Sequence, residues 1–149
     1  MNDPPALSPD QFNLLRDSLD ALAPHAQDLT RIFYRRLFHL DPSLRLLFRQ
    51  DMSAQREKWF HTLTMILRNM HDPQQVAAIA SHLGHRHRRY GVHDDDYRLA
   101  EDALRWSLER VLGEAYTPEL AQAWSVAYRR LAILMQNVAA ADDDPQTGL

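Results

Sequence analysis

The chain has 149 residues, 45% hydrophobic and 25% charged, with no cysteine and a formal net charge of −3. That length supports one domain, residues 1–149, with a real core, and the lack of cysteine excludes a disulfide framework and thiol chemistry. Net acidity argues against a nucleic-acid binder, and no stretch has the length of a membrane span or the pattern of a secretory leader, so a cytoplasmic protein is expected.

The apolar pattern is helical throughout, with four glycines and no sustained alternation of period two. Ser8-Pro9-Asp10-Gln11 reads as an N-cap, a proline at the first helical position and a Gln three after the cap, opening a helix over about 9–22. A second helix over about 25–40 carries Ile32, Phe33 and Leu37 inward, with Tyr34 at the edge of the stripe, where a tyrosine can send its hydroxyl to water. Asp41-Pro42 starts a third at about 42–48, ending in Leu46-Leu47-Phe48, with the phenylalanine core by default. The fourth, about 54–70, runs Gln55, Trp59, Leu63, Ile66, Leu67 and Met70 down one face. Gln55 is a polar head on that apolar stripe, and near a helix start it also fits plain exposure. Asp72-Pro73 and Thr117-Pro118 repeat the cap-then-proline signature, for helices at about 73–83 (continuing to 90) and 118–140, with another at about 95–112 between them. Gly84 is a candidate break in the fifth helix, and Gly91 and Gly113 read as C-terminal caps. Residues 8–140 form the expected ordered core, and the acidic 141–149 stretch a solvated tail. Short links between many helices imply a compact all-α fold.

Three histidines crowd the end of the fifth helix, in His82-Leu83-Gly84-His85-Arg86-His87. Val76, Ile79, Ala80 and Leu83 form an apolar stripe, and the next position along it is His87, about 40° from Leu83 in projection. His82 and His85 fall on the wet face with Arg86 and Arg89. An inward His87 has two readings: a buried imidazole hydrogen-bonded to a carbonyl, or an axial ligand to a haem iron. His82 and His85, three apart, would supply half a surface metal site, with no cysteine or third ligand beside them.

These stretches carry a resemblance. Phe33-Tyr34-Arg35-Arg36-Leu37-Phe38, Leu47-Phe48, Gln55-Arg56-Glu57, Leu83-Gly84-His85-Arg86-His87 with Tyr90-Gly91-Val92, Tyr97, and Ala123-Trp124 with Ala127-Tyr128 fall in the order seen in globins. The chain resembles the bacterial single-domain globins and the globin domain of flavohaemoglobins over about residues 8 to 139. The spacings of 14 residues from Tyr34 to Phe48 and 32 from Gln55 to His87 make the match specific. The proximal stretch is also similar to that of neuroglobin.

The resemblance implies a globin fold of about seven to eight helices around haem b, iron protoporphyrin IX. It implies that His87 is the proximal iron ligand, that Phe48 packs on the porphyrin, and that Tyr34 and Gln55 hydrogen-bond bound dioxygen. Trp59 would wall the distal pocket, while Leu83, Val92 and Tyr97 border the proximal side. His61 lies about 240° around the helix from Gln55, away from the distal position. Arg86 and Arg88 are among the basic residues near the pocket rim that could pair with haem propionates, with plain exposure the default reading of each. Two departures count. Ala139 stands where flavohaemoglobins place a glutamate beside the proximal histidine and tyrosine, so a peroxidase-like site is not implied, and the segment from Phe48 to Gln55 is short.

The expected function is tight, reversible binding of dioxygen, with carbon monoxide and nitric oxide as further ligands, and conversion of nitric oxide to nitrate. The sequence has no dinucleotide fingerprint, so electrons for turnover would come from a separate reductase. A haem-based gas or redox sensor, or a cofactor-free helical interaction module, are the alternatives.

Overall fold

The structure, a computed structural model, describes residues 6–48 and 51–142, with side chains to residue 138. Of the stretch 141–149 expected as a tail, Ala141 and Asp142 still belong to the last helix, and 143–149 lie outside the described residues, as does the side chain of Ala139. Among the described residues there are six α-helices: α1 (Pro9–Leu22), α2 (Ala26–Leu40), α3 (Met52–Arg68), α4 (Pro73–Arg89), α5 (Asp94–Leu112) and α6 (Pro118–Asp142). Three short 3-10 stretches, Ala23–His25, Pro42–Leu47 and Gly113–Ala115, join them. No helix among the described residues is long and apolar enough to cross a membrane.

Local chemistry sets the helix starts. Ser8 Oγ accepts from the Gln11 amide at 3.1 Å while the Gln11 side chain accepts from the Ser8 amide at 3.0 Å, the reciprocal pair read from the sequence. Asp72 Oδ1 accepts from the Gln74 and Gln75 amides at the start of α4. The start of α3 lies earlier than expected, because Asp51 caps it through the Ser53 amide at 3.0 Å. Three aspartates, Asp94 to Asp96, open α5, where the helix dipole favours negative charge. The segment expected as a third α-helix is a 3-10 stretch. Six residues between Asp41 and Phe48 are too few for stable i→i+4 bonding.

The most extensive helix contacts are α2 with α5 and α4 with α6; α1 lies along α6, and α3 leans on α2 and α1. The core collects Leu15 and Leu19 from α1, Phe33 and Leu37 from α2, Ile66 and Leu67 from α3, Val76 and Ala80 from α4, Leu108 from α5 and Trp124 from α6. Each of the valine, leucine, isoleucine and phenylalanine side chains contributes about 1.5–3 kcal/mol by leaving water. Trp124 Nε1 donates to Ser18 Oγ at 3.1 Å, and Ser18 Oγ donates to the Leu15 carbonyl at 2.7 Å, so the polar atoms buried with the indole are paired.

Gly84 does not break its helix: α4 runs unbroken from Pro73 to Arg89. A glycine costs a helix only about 1 kcal/mol relative to alanine, a small loss beside the packing it permits here. A Cβ at Gly84 would stand 2.6 Å from the Met135 carbonyl oxygen of α6. The bare backbone is what lets α4 and α6 cross so closely. Gly84→Ala is expected to lower unfolding stability by about 1–3 kcal/mol, read from chemical denaturation, although alanine is the better helix former. Unchanged stability would show that α6 yields at this crossing.

Candidate functional site

His87 stands on the last turn of α4. Its Nδ1 lies 2.7 Å from the Leu83 carbonyl oxygen, one turn back. A carbonyl can only accept, so Nδ1 carries the proton and donates. The lone pair is then on Nε2, the nitrogen pointing away from the helix backbone. Burial holds the imidazole pKa below its ordinary value, and the nearby Arg86 charge adds to that, against the pull of the Leu83 hydrogen bond. The neutral, ligand-competent form is therefore the stable one at neutral pH.

The end of α4 is fixed by a double turn bond. The Gly91 amide donates to the Arg88 carbonyl at 3.1 Å and the Val92 amide to the His87 carbonyl at 3.0 Å, with Gly91 at φ +91°. This closure ties Val92 directly to the backbone of His87. The Tyr97 ring of α5 stacks on the imidazole with centroids 6.3 Å apart and planes 29° apart. Tyr128 of α6, whose own pKa burial raises, donates its hydroxyl to the Tyr97 carbonyl at 2.5 Å. Burial, with Asp94 and Asp96 nearby, pushes the Tyr97 phenol up to about 12.

Tyr34 is inside rather than at the edge of its stripe: it is 4% exposed. The buried face of α2 is Leu29, Thr30, Phe33, Tyr34 and Leu37, and Ile32 is only half-buried. Aromatic rings box the phenol. Phe33 lies 5.0 Å away, Phe48 5.4 Å, Phe38 5.9 Å and Trp59 6.2 Å, centroid to centroid. Trp59 is itself stacked on Phe33 at 4.2 Å. Phe38 is the member of this box that sequence reading left without a role; its position one turn after Tyr34 was the available signal.

Gln55 sits in the first turn of α3, where the Asp51 cap sets its backbone. Its side chain is half-buried, and Nε2 donates to the Tyr34 hydroxyl oxygen at 3.1 Å. The phenol oxygen accepts there, so its own proton stays available to donate elsewhere. Burial pushes the Tyr34 pKa up to about 12 against the opposing pulls of the Gln55 bond and Arg56, and the hydroxyl keeps its proton at neutral pH. Tyr34, Gln55, Trp59 and Phe48 thus form one group, and His87, Leu83, Val92 and Tyr97 a second.

The first group hangs on α2 and α3, the second on α4 and α5. Helices α3 and α4 pack on different partners and meet each other marginally at most. Trp59, Leu63, Leu83 and His87 stay half-exposed although the three apolar ones pack against the core. His82 is exposed and His85 half-buried, and no group of three or more His, Cys, Asp or Glu side chains among the described residues is placed to hold a bare metal ion. A planar, apolar group that needs one imidazole nitrogen fits this arrangement; an ion that needs several protein ligands does not.

The comparisons with known proteins agree with the geometry. A family model described as Globin matches residues 31–135. The chain is 33% identical over 132 residues to a flavohemoprotein of Bordetella pertussis, covering 87% of this chain and 33% of that protein. It is 27% identical over 126 residues to one of Rhizobium meliloti, covering 83% and 31%. The chain therefore spans about a third of the length of the curated relatives it matches. An engineered carbene transferase, a suggested nitric oxide dioxygenase from Rhodothermus marinus, superposes with TM-score 0.81 at 32% identity, over 91% of this chain and 94% of that one. A bacterial globin from Campylobacter jejuni shares the fold at TM-score 0.77 and 20% identity, over 89% and 96%.

Proposed function

This chain belongs to the globin family, and from that membership we propose that it is a haem protein that binds dioxygen and turns nitric oxide into nitrate. The observation that carries the reading is the His87 imidazole: Nδ1–H is spent on the Leu83 carbonyl, and Nε2 keeps a lone pair in a neutral, half-covered ring. The haem, when bound, supplies a reversible site for dioxygen and, with one electron from outside, a route from nitric oxide and dioxygen to nitrate.

The chain's own residues do the rest. The Leu83 hydrogen bond fixes the tautomer and ring orientation of His87 and raises the basicity of Nε2. Tyr97, stacked on the ring and held at its carbonyl by Tyr128, resists rotation of the imidazole. On the other side Tyr34 offers a phenol proton, oriented because Gln55 already donates to its oxygen. Phe33, Phe38, Phe48 and Trp59 keep water from that proton, and in such a dry setting one hydrogen bond to a partly negative ligand is worth more than in solvent. The names of the flavohemoprotein relatives support a haem, and that of the suggested nitric oxide dioxygenase supports the reaction assigned.

An absorption spectrum tests the reading first. The purified protein, supplied with hemin, is expected to show a Soret band that shifts on reduction and again with dioxygen and with carbon monoxide. Absence of the band removes the haem reading and leaves a cofactor-free helical module. The reaction has its own test: mixing the dioxygen-loaded protein with nitric oxide should yield nitrate one for one, and a protein that binds dioxygen without giving nitrate is a carrier or sensor instead.

A further inference from the structure

Tyr90 caps the C-terminus of α4, three residues after His87, and is 62% exposed. The half-buried Leu47 reaches the turn that follows: a Cβ at Gly91 would lie 3.7 Å from Leu47 Cδ2. Three cations act on the tyrosine. The Arg86 guanidinium lies 5.8 Å from its ring centre. Arg86 foremost, then Lys58 of α3 and Arg89, draw the phenol pKa below its ordinary value, so all three charges are within electrostatic reach of one hydroxyl. None of the three has a carboxylate partner among the described residues, although six arginines elsewhere do.

A protein of net charge −3 that gathers unneutralised cations near an exposed tyrosine has a surface complementary to an acidic partner. Tyrosine and arginine at the centre of such a patch supply contact area, and the charges supply orientation and rate. The patch joins α3 to the end of α4, the two helices that flank the proposed haem. We propose that Lys58, Arg86 and Arg89, with Tyr90, form the docking surface for a separate electron-donating flavin protein with an acidic face. This rests on the haem reading above. The choice of a flavin protein follows from relatives whose names join a flavin to a haem protein.

Lys58 is the one lysine in the sequence, which makes the test specific. Flavodoxin, a small acidic flavin protein, serves as the probe for the haem-loaded chain. Calorimetric affinity should fall by on the order of tenfold between low and physiological salt. A carbodiimide, which joins an amine to a carboxylate with loss of water, should link the two proteins through Lys58, mapped by peptide mass spectrometry. Lys58→Glu with Arg89→Glu should weaken binding by about tenfold or more and leave the rate of haem loss unchanged. Arg86 is left alone because it neighbours His87. Salt-insensitive or absent binding, cross-links that avoid Lys58, or reversals that leave affinity intact overturn the proposal. Faster haem loss with unchanged flavodoxin affinity also overturns it, and assigns the cations to the haem propionates. The Soret band is recorded on the same samples, so failure of the haem reading is seen separately from failure of the docking surface.

Discussion

The His87→Ala variant is expected to leave a desalting column without a Soret band after hemin has been added. In the proposed site His87 is the residue that would hold the haem iron, and an alanine in its place could not supply that bond. His82 is exposed on the far face of α4, and His85 sits about 200° around the helix from His87, so neither can swing into position without unwinding the last turn. The size of the effect follows from a comparison. Losing only a supporting hydrogen bond to a metal-bound imidazole costs roughly 10–100-fold in affinity, so losing the imidazole itself should speed haem loss by on the order of 100-fold or more. The fold should persist, because alanine is the best helix former and His87 is a half-exposed residue. Transfer of haem to an excess of a haem-binding apoprotein gives the rate. A variant that holds haem as the parent does removes His87 from the axial position.

His87 was legible because helix geometry alone turns one histidine of three inward, and the apolar stripe ahead of it is unbroken. That geometry left two readings open, and the Leu83 hydrogen bond shows that they are compatible: one nitrogen is satisfied by a carbonyl while the other remains a base. Tyr34 is less legible from the stripe of its helix. Thr30 interrupts the apolar stripe of α2, and the structure shows why it is tolerated inside: its hydroxyl donates to the Ala26 carbonyl at 2.9 Å, so no polar atom is stranded. With Thr30 counted as an inward residue, the stripe rotates and Tyr34 falls within it. Gly84 was misread for a related reason. Its purpose lies in α6, fifty residues away, and no local pattern announces a backbone that needs room. The hydrogen bond from Tyr128 to the Tyr97 carbonyl is likewise hidden from sequence, because a carbonyl acceptor belongs to every residue and marks none. Helix starts were readable where a capping side chain precedes proline, and less so at α3, where Asp51 caps without one.

Tyr34→Phe is expected to speed dioxygen release by roughly 10–100-fold, the equivalent of one lost hydrogen bond of about 1–3 kcal/mol to a partly charged ligand. The substitution removes one oxygen atom and keeps the ring, so the contacts with Phe33, Phe48 and Trp59 survive and stability should change little. What changes is the fate of Gln55. Its Nε2–H now donates to the phenol oxygen; without that acceptor the amide is free to turn toward the ligand and recover part of the loss. The two residues are therefore coupled, and their effects should not add. Gln55→Leu alone leaves the phenol proton in place but less well oriented, and should raise the release rate by less than Tyr34→Phe does. The double variant should exceed either, because it also removes the replacement donor. Stopped-flow release of dioxygen into excess carbon monoxide measures all four proteins of the cycle. A parent-like rate in Tyr34→Phe would mean that the buried phenol donates to something other than the ligand, and the distal assignment would pass to Gln55. Additive effects would mean that the 3.1 Å bond between the two side chains does not orient the phenol proton.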